Sequence, residues 1–265
     1  MDVLQQYGPW AVILGGSEGV GSAFAEQLAQ DGLDLLLVAR SADRLEAFAT
    51  ELRARFPQRQ VRTLATDLSE TQGADAVIAA SRDLEVGLFI YNAGACGERR
   101  SFVDMDLDFN LKLTTLNVVN KLRLTHHFAR PMRDRGRGGI MLVGSSSYAA
   151  GNPGFATYSG VKAFSTLFSE GIWHELKPFG VHVLGYIVSF TNTPAMARNF
   201  PEAAGQGNDP QVVARYGLSQ MANGPVAYCA GAEERIRATQ ALPRAEAVEQ
   251  VYQRSAPLYR EKAPR

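Results

Sequence analysis

Residues 145–162 combine several side chains that can donate or accept a proton. The segment begins with three consecutive serines, starting at Ser145, and it ends with Tyr158 and Lys162. A four-residue separation places Tyr158 and Lys162 on one face of an α-helix. A free tyrosine has a pKa of about 10, and a neighbouring ammonium group stabilises its phenolate. The spacing therefore indicates a tyrosine that can exchange its proton near neutral pH.

The elements that must position this segment follow from alternating apolar runs and helical periodicity. Short apolar runs predict strands at residues 10–14, 33–39, 61–65, 86–91, 140–143 and 181–187, with an edge strand at 226–230. Helical spacing predicts helices after residue 21, around 45–52 and 74–84, within 107–130, from 158 onward and over 209–221. This alternation predicts an α/β fold with a doubly wound parallel sheet. Ligands bind such sheets at the carboxyl ends of the strands.

The whole chain, residues 1–265, is predicted to form a single domain. The core is expected at residues 8–193, a substrate loop at 194–208, and C-terminal helices with a tail at 209–265. Glycine and proline over 199–208 predict a mobile loop, placed where a lid would cover a site. Balanced charges after residue 231 predict one or two surface helices packed on the domain.

Composition limits the classes of partner. The 265 residues carry 27 basic and 27 acidic side chains, so no basic face for nucleic acid or an anionic membrane is expected. We predict no membrane span and no signal peptide, because apolar runs are short and the first residues lack a basic and apolar leader. Cys96 and Cys229 lie far apart without a CxxC motif, which favours a reducing, cytoplasmic compartment. The histidines lack metal-ligand spacing, so no metal site is predicted.

A glycine-rich turn joins the first predicted strand to the first long helix. Gly15, Gly19 and Gly21 follow a GxxxGxG spacing. Glycines permit a tight turn and let backbone N–H groups and the helix N-terminus approach a pyrophosphate. A plain glycine turn remains an alternative, because the common GxGxxG fingerprint is not met. The strand-turn-helix context favours a dinucleotide.

Arg40 ends the second predicted strand and indicates which dinucleotide binds. A fold that prefers NAD usually carries an acidic residue there to hold the ribose hydroxyls. An arginine can instead pair with the 2′-phosphate of NADP, and Ser41 and Arg44 favour the same phosphate. Glu18 opposes it, and an ordinary surface arginine is the alternative. We predict NADP(H) as the cofactor.

Taken together, these motifs resemble the short-chain dehydrogenase/reductase family over residues 10–194. The resemblance rests on residues in the family's order and spacing: Gly15, Gly19, Gly21, Asn92-Ala93-Gly94, Asn117, Ser145, Tyr158 and Lys162. It implies a Rossmann-type doubly wound parallel sheet in three α/β/α layers, a nicotinamide cofactor, and hydride transfer to or from a carbonyl or alcohol carbon. It also implies a homodimer or homotetramer assembled through the helices at 107–130 and 158–177.

The resemblance assigns a role to each catalytic candidate. Tyr158 would protonate the carbonyl oxygen, and Lys162 would stabilise the phenolate and bind the nicotinamide ribose. Ser145 would polarise the substrate oxygen, with Ser146 and Ser147 as alternatives, and Asn117 would anchor a water in a proton relay. Taken singly, each residue has an ordinary structural explanation, such as a helix surface position or an N-cap.

The same resemblance implies a set of cofactor contacts. Asp67 would contact the adenine ring, and Thr193 would meet the nicotinamide carboxamide. The full set is Gly15, Ser17, Glu18, Gly19, Val20, Gly21, Arg40, Asp67, Leu68, Asn92, Ala93, Gly94, Tyr158, Lys162, Val188 and Thr193.

Three departures from the family pattern lie before the glycine turn, after the sixth strand and near the C-terminus. Leu14 replaces a threonine, Val188-Ser189 replaces a Pro-Gly pair, and the charged tail is similar to that of long-chain 3-oxoacyl reductases. Residues 95–100, 148–155 and 194–208 are expected to bind the substrate. Their apolar side chains predict a hydrophobic ligand, such as a steroid, a 3-oxoacyl chain or an aromatic ketone. We therefore predict NADPH-dependent reduction of an apolar ketone or aldehyde, or oxidation of the corresponding secondary alcohol. The alternatives are a catalytically idle NADP-binding redox sensor and a domain of a multienzyme assembly.

Overall fold

Seven parallel strands form one sheet in the order β3-β2-β1-β4-β5-β6-β7. The computed structural model describes residues 3–97, 99–201 and 205–256. The strands are β1 (Trp10–Leu14), β2 (Asp34–Ala39), β3 (Val61–Ala65), β4 (Val86–Tyr91), β5 (Gly138–Ser145), β6 (Val181–Val188) and β7 (Val226–Tyr228). The predicted α/β class and parallel sheet are confirmed.

Helices cover both faces of the sheet. They are α1 (Val3–Tyr7), α2 (Gly19–Gln30), α3 (Ala42–Arg55), α4 (Thr71–Ala80), α5 (Leu107–Thr114), α6 (Asn120–Arg135), α7 (Ala156–Leu176), α8 (Pro194–Asn199), α9 (Pro210–Ser219), α10 (Ala232–Ala241) and α11 (Arg244–Ser255). Buried side chains of α2, α3 and α9 share one apolar cluster with the sheet, and those of α4 and α6 share the other. The result is a three-layer arrangement with helices on either side.

The two central strands mark where the ligand-binding crevice lies. Every residue of β1 and of β4 is buried, as expected for a strand that carries apolar side chains on both faces. The strand order reverses between these two strands, because β1 pairs with β2 on one side and β4 on the other. This reversal opens the crevice in which doubly wound sheets bind ligands.

The helix predicted within 107–130 is interrupted by a different kind of turn. Residues Thr115–Val119 form a π-helical turn between α5 and α6. Within it, Asn117 Nδ2 donates a hydrogen bond to the carbonyl oxygen of Leu113 at 3.0 Å. Apolar periodicity does not reveal a single wider turn, and such π-bulges occur frequently at functional sites.

The region after β6 is more regular than its sequence indicates. Thr193 Oγ1 accepts a hydrogen bond from the backbone N–H of Met196 at 3.1 Å, and Pro194 occupies the first turn of α8. Residues 202–204 lie outside the described residues, so a mobile loop there stays a prediction. The predicted C-terminal surface helices are confirmed as α10 and α11, and residues 257–265 also lie outside the described part. None of the described helices has both the length and the apolar character needed to cross a bilayer.

Candidate active site

The predicted site residues gather at one edge of the sheet because parallel strands end on the same side. The glycine turn follows β1, Arg40 follows β2, and Asp67 follows β3. Asn92 follows β4, and Ser145 is the last residue of β5. The sheet therefore aligns segments that are widely separated in sequence along one crevice.

The glycine turn between β1 and α2 forms a concave backbone surface. A Cβ atom at Gly21 would lie 1.9 Å from the carbonyl oxygen of Gly15, so no other residue fits without displacing the turn. Asn92 Nδ2 donates a hydrogen bond to that same carbonyl at 3.1 Å and ties the turn to β4. Ser17 is half-buried in the turn, and Val20 is buried in the first turn of α2. This closely packed turn at a helix N-terminus suits the pyrophosphate of a dinucleotide.

Glu18 lies in the glycine turn but its carboxylate is already paired. One oxygen, Oε2, lies 3.2 Å from Arg44 Nη1, and the other, Oε1, lies 2.5 Å from Arg198 Nη2. Arg44 belongs to α3 and Arg198 to α8. Sequence analysis identified Glu18 as a feature opposing NADP and gave no indication of these partners.

Arg40 and Asp67 lie at neighbouring strand ends. The backbone N–H of Thr66 donates to the carbonyl oxygen of Ala39 at 3.0 Å, which holds the ends of β2 and β3 together. Both charged side chains are exposed, and Asp67 Oδ1 accepts a hydrogen bond from the N–H of Ser69 at 2.9 Å. Both can therefore reach a ligand that lies along the outer half of the crevice.

Sequence analysis missed Asn120, which shapes the loop after β3. Its fully buried Nδ2 donates to the carbonyl oxygens of Leu68 at 2.9 Å and Glu70 at 2.7 Å. The loop that carries Asp67 and Leu68 is therefore fixed to the start of α6. The local sequence gives no sign of this role, because an asparagine on a helix is usually a surface residue.

Lys162, Asn117 and Gly94 meet at the centre of the crevice. A Cβ atom at Gly94 would lie 3.0 Å from Lys162 Nζ and 3.4 Å from Asn117 Oδ1, so both polar atoms face the glycine that follows β4. Lys162 Nζ lies 5.4 Å from the centre of the Tyr158 ring. Asn117 Oδ1 is buried and has no hydrogen-bond partner within the described residues. A buried acceptor of this kind requires a partner, and a ligand or bound water can provide it.

The electrostatics of this cluster are set mainly by burial. Only 4% of Lys162 is exposed, and burial lowers the pKa of its amine to about 8, slightly opposed by the thiol of Cys96. Burial also raises the pKa of the Cys96 thiol. The amine of Lys162 can therefore exchange a proton within the physiological pH range.

Ser145 lies at the end of β5, beside β6. It pairs in register with Val188, and its Oγ accepts a hydrogen bond from the N–H of Ser147 at 3.3 Å. The hydroxyl of Ser145 also lies 3.3 Å from that of Ser147. The serine cluster thus forms a short turn that caps β5 and leads towards α7.

Hydrogen bonds hold the backbone at Val188-Ser189, where the family pattern has a Pro-Gly pair. The N–H of Ser189 donates to Cys229 Sγ at 3.0 Å, and Asn208 Nδ2 donates to Ser189 Oγ at 3.2 Å. Sequence analysis recognised the departure but not Cys229 or Asn208. These contacts fix the segment after Val188 beside the crevice.

Thr193 acts as the N-cap of α8 and packs against the glycine turn. A Cβ atom at Gly19 would lie 2.8 Å from Thr193 Cγ2. Thr193 is therefore an N-cap, which was the ordinary alternative to a role in cofactor binding. A contact between Thr193 and a nicotinamide stays a prediction.

Apolar side chains surround the mouth of the site next to Tyr158. Phe155 and Phe200 are buried against each other, with the partly buried Cys96, Tyr158, Phe190 and Met196 around them. Helix α11 supports the same region, because Arg244 Nη1 donates to the carbonyl of Ala149 at 3.2 Å and Ser255 Oγ donates to Asn152 Oδ1 at 3.2 Å. Two parts of the predicted substrate segments, Glu98 and residues 202–204, lie outside the described residues.

Comparison with known proteins agrees with this geometry. The family model described as short chain dehydrogenase matches residues 9–204. The 7beta-hydroxysteroid dehydrogenase of Clostridium sardiniense is 30% identical over 251 residues, covering 92% of this chain and 94% of that protein. The very-long-chain 3-oxoacyl-CoA reductase of Podospora anserina is 36% identical over 194 residues, covering 72% of this chain. That match spans only 57% of the length of the reductase.

Solved structures show the same architecture. A 7beta-hydroxysteroid dehydrogenase structure matches with a TM-score of 0.88 and 25% identity, covering 95% of this chain and 99% of that one. A short-chain dehydrogenase from Sphingobium yanoikuyae in complex with NADPH matches with a TM-score of 0.78 and 28% identity, covering 96% and 97% of the two chains. The fold, the crevice and these matches show that the chain belongs to the short-chain dehydrogenase family, whose members are oxidoreductases that use a nicotinamide cofactor.

Proposed function

We propose that this protein is an NADPH-dependent reductase of an apolar ketone or aldehyde, and that it also oxidises the corresponding alcohol. The observation that carries the proposal is the cluster in which Lys162 Nζ and Asn117 Oδ1 face Gly94 beside the ring of Tyr158. A buried amine with a pKa of about 8 next to a tyrosine suits proton transfer, and the glycine turn suits a dinucleotide.

The chain's own residues would move the proton. When bound, the nicotinamide cofactor supplies the hydride to the carbonyl carbon. Tyr158 donates its phenolic proton to the carbonyl oxygen, while the hydroxyl of Ser145 donates a hydrogen bond to the same oxygen. The ammonium of Lys162 stabilises the resulting phenolate, and Asn117 Oδ1 accepts a hydrogen bond from a water that returns a proton. General acid catalysis of this kind contributes about 10²- to 10⁴-fold.

Several observations support NADPH over NADH. The exposed Arg40 follows β2, where a carboxylate would favour NAD. Arg44 lies one helical turn further on, in α3. The Sphingobium yanoikuyae relative was solved with NADPH. A guanidinium pairs with a phosphate through charge-assisted hydrogen bonds, so these arginines would hold the 2′-phosphate.

A bulky apolar carbonyl compound fits the substrate side best. Phe155, Phe200 and Met196 form an apolar surface beside Tyr158. The related proteins are named for 7beta-hydroxysteroids and for very-long-chain 3-oxoacyl-CoA, which supports a steroid or a 3-oxoacyl chain here. We propose a steroid, a 3-oxoacyl chain or an aromatic ketone as the substrate.

We propose in addition that the protein forms a homodimer or homotetramer through α5, α6 and α7. Large apolar side chains are exposed on these helices, namely Leu107, Leu111, Leu122 and Leu167. Exposed apolar patches of this kind often mark protein interfaces.

The proposed activity can be tested with purified protein and a panel of ketones and aldehydes. Consumption of NADPH and NADH is followed by absorbance for the wild type and for Tyr158→Phe, which removes the proton but keeps the ring. We expect turnover with NADPH and a loss of at least about 100-fold in Tyr158→Phe. Tyr216→Phe, on the exposed side of α9, is the matched control and should retain activity.

Two outcomes would contradict the proposal. Tight NADPH binding without turnover on the whole panel would favour the idle redox-sensing alternative. An unchanged preference for NADPH in Arg40→Asp would show that Arg40 does not hold the 2′-phosphate.

A further inference from the structure

Glu18 joins three parts of the molecule that are far apart in sequence. Its carboxylate contacts Arg44 at 3.2 Å and Arg198 at 2.5 Å, and its own side chain is 26% exposed. Glu18 belongs to the glycine turn, Arg44 to the first turn of α3, and Arg198 to α8. A single carboxylate therefore connects the glycine turn to α3 through Arg44 and to α8 through Arg198.

Helix α8 contacts the two halves of the crevice. Met196 packs into the apolar cluster of Phe155 and Phe200, while Arg198 reaches back to Glu18. At the base of the helix, Thr193 lies against Gly19, where an added Cβ would come within 2.8 Å of Thr193 Cγ2. Helix α8 is therefore linked to the glycine turn both by the contact between Arg198 and Glu18 and by the packing of Thr193 against Gly19.

The pairing of Glu18 with Arg44 has a cost for a phosphate ligand. Arg44 lies in the first turn of α3, four residues after Arg40, and its guanidinium is partly neutralised by Glu18. A phosphate that approaches Arg44 must displace this carboxylate or accept a like charge close by. The displacement is possible because exposed ion pairs are weak and phosphate is a strong partner for arginine.

We propose that Glu18 is a specificity-determining residue, whose carboxylate competes with the 2′-phosphate of the cofactor for Arg44 and anchors α8 through Arg198. The inference rests on the proposed NADPH-dependent function. It assigns to Glu18 a role opposite to that of a simple cofactor contact: the residue restrains the preference for NADPH while it holds the substrate-side helix in place.

A double-mutant cycle tests the competition directly. Dissociation constants for NADPH and NADH are measured by fluorescence for the wild type, Glu18→Gln, Arg44→Met and the double variant. Removing the carboxylate lowers repulsion with the pyrophosphate of both cofactors, so the informative quantity is the ratio of the NADH to the NADPH dissociation constant. We expect Glu18→Gln to raise this ratio about two- to fivefold, the range of one exposed ion pair. In the Arg44→Met background the same change should leave the ratio unaltered.

Arg198→Met separates the anchoring role from the competition. It should leave the cofactor ratio near that of the wild type, because Arg44 keeps its partner, and it should raise the KM for the carbonyl substrate more than it lowers kcat. An equal gain in affinity for both cofactors in Glu18→Gln, or a raised ratio that persists without Arg44, would overturn the competition. A wild-type protein that binds neither cofactor would contradict the proposed function instead, so the two failures are distinguishable.

Discussion

Replacing Lys121 with methionine should stabilise the protein, and more so as the pH falls. Lys121 is fully buried in α6, where its Nζ donates to Ser165 Oγ at 2.6 Å and lies 5.1 Å from the centre of the Tyr91 ring. Burial lowers the pKa of its amine well below the ordinary range, and the positive charge of Lys162 lowers it further. Among the described residues, no carboxylate forms an ion pair with Lys121.

The sign of the effect follows from proton linkage. The pKa of Lys121 is lower in the folded protein than the value of about 10.4 in the unfolded chain. Between these two values the unfolded chain binds a proton that the folded protein lacks, so the wild type loses stability as the pH falls. Each pH unit below about 10 costs roughly 1.4 kcal/mol until the folded-state pKa is reached. The cost therefore grows as the pH falls from about 10 towards the folded-state pKa.

The methionine variant removes this cost but loses one hydrogen bond. Loss of the hydrogen bond to Ser165 reduces the gain in unfolding free energy by about 1 kcal/mol. The hydroxyl of Ser165 keeps its hydrogen bond to the carbonyl oxygen of Val161 at 3.1 Å. We therefore expect the variant to become more stable than the wild type from about one pH unit below the unfolded-state pKa of about 10.4, and the gain to grow as the pH falls further. The gain should shrink towards zero near pH 10.

Urea unfolding at several pH values between 6.5 and 10, at fixed protein concentration, measures the gain. Lys177→Met, which changes an exposed lysine, is the matched control and should shift the midpoint little. A destabilised Lys121→Met variant, or a gain that is the same at every pH, would show that Lys121 stays charged in the folded protein, held by the ring of Tyr91.

Three further substitutions test the glycine turn, the loop after β3 and the proposed subunit interface. Gly21→Ala should abolish NADPH binding measured by fluorescence, because its Cβ would fall 1.9 Å from the carbonyl of Gly15, and a normal affinity would refute the packing of the turn. Asn120→Ala should lower the unfolding free energy by about 2 to 3 kcal/mol in urea titrations, because it removes two buried hydrogen bonds after β3, and a loss below 0.5 kcal/mol would contradict that role. Leu167→Glu should shift the protein to a smaller species in light scattering if α7 forms the subunit interface, whereas an unchanged mass would remove this surface from the interface.

The sequence by itself determined the features that arise within short stretches of chain. The strand-turn-helix unit around Gly15 and Gly21 and the four-residue spacing of Tyr158 and Lys162 depend only on local periodicity and residue type. The parallel sheet follows from the alternation of these units, because strands joined by helices run in the same direction. The order of the strands then brings Arg40 to the edge that carries the glycine turn.

Only the tertiary structure decided which distant side chains meet. The pairing of Glu18 with Arg198 spans 180 residues, and the burial of Lys121 against Ser165 spans 44. The π-turn around Asn117 likewise could not be predicted from the helical pattern of residues 107–130. Such contacts follow from the three-dimensional packing of whole elements, for which neither hydrophobic periodicity nor motif spacing carries a signal. They supply the charges and hydrogen bonds that the local motifs require in order to act together.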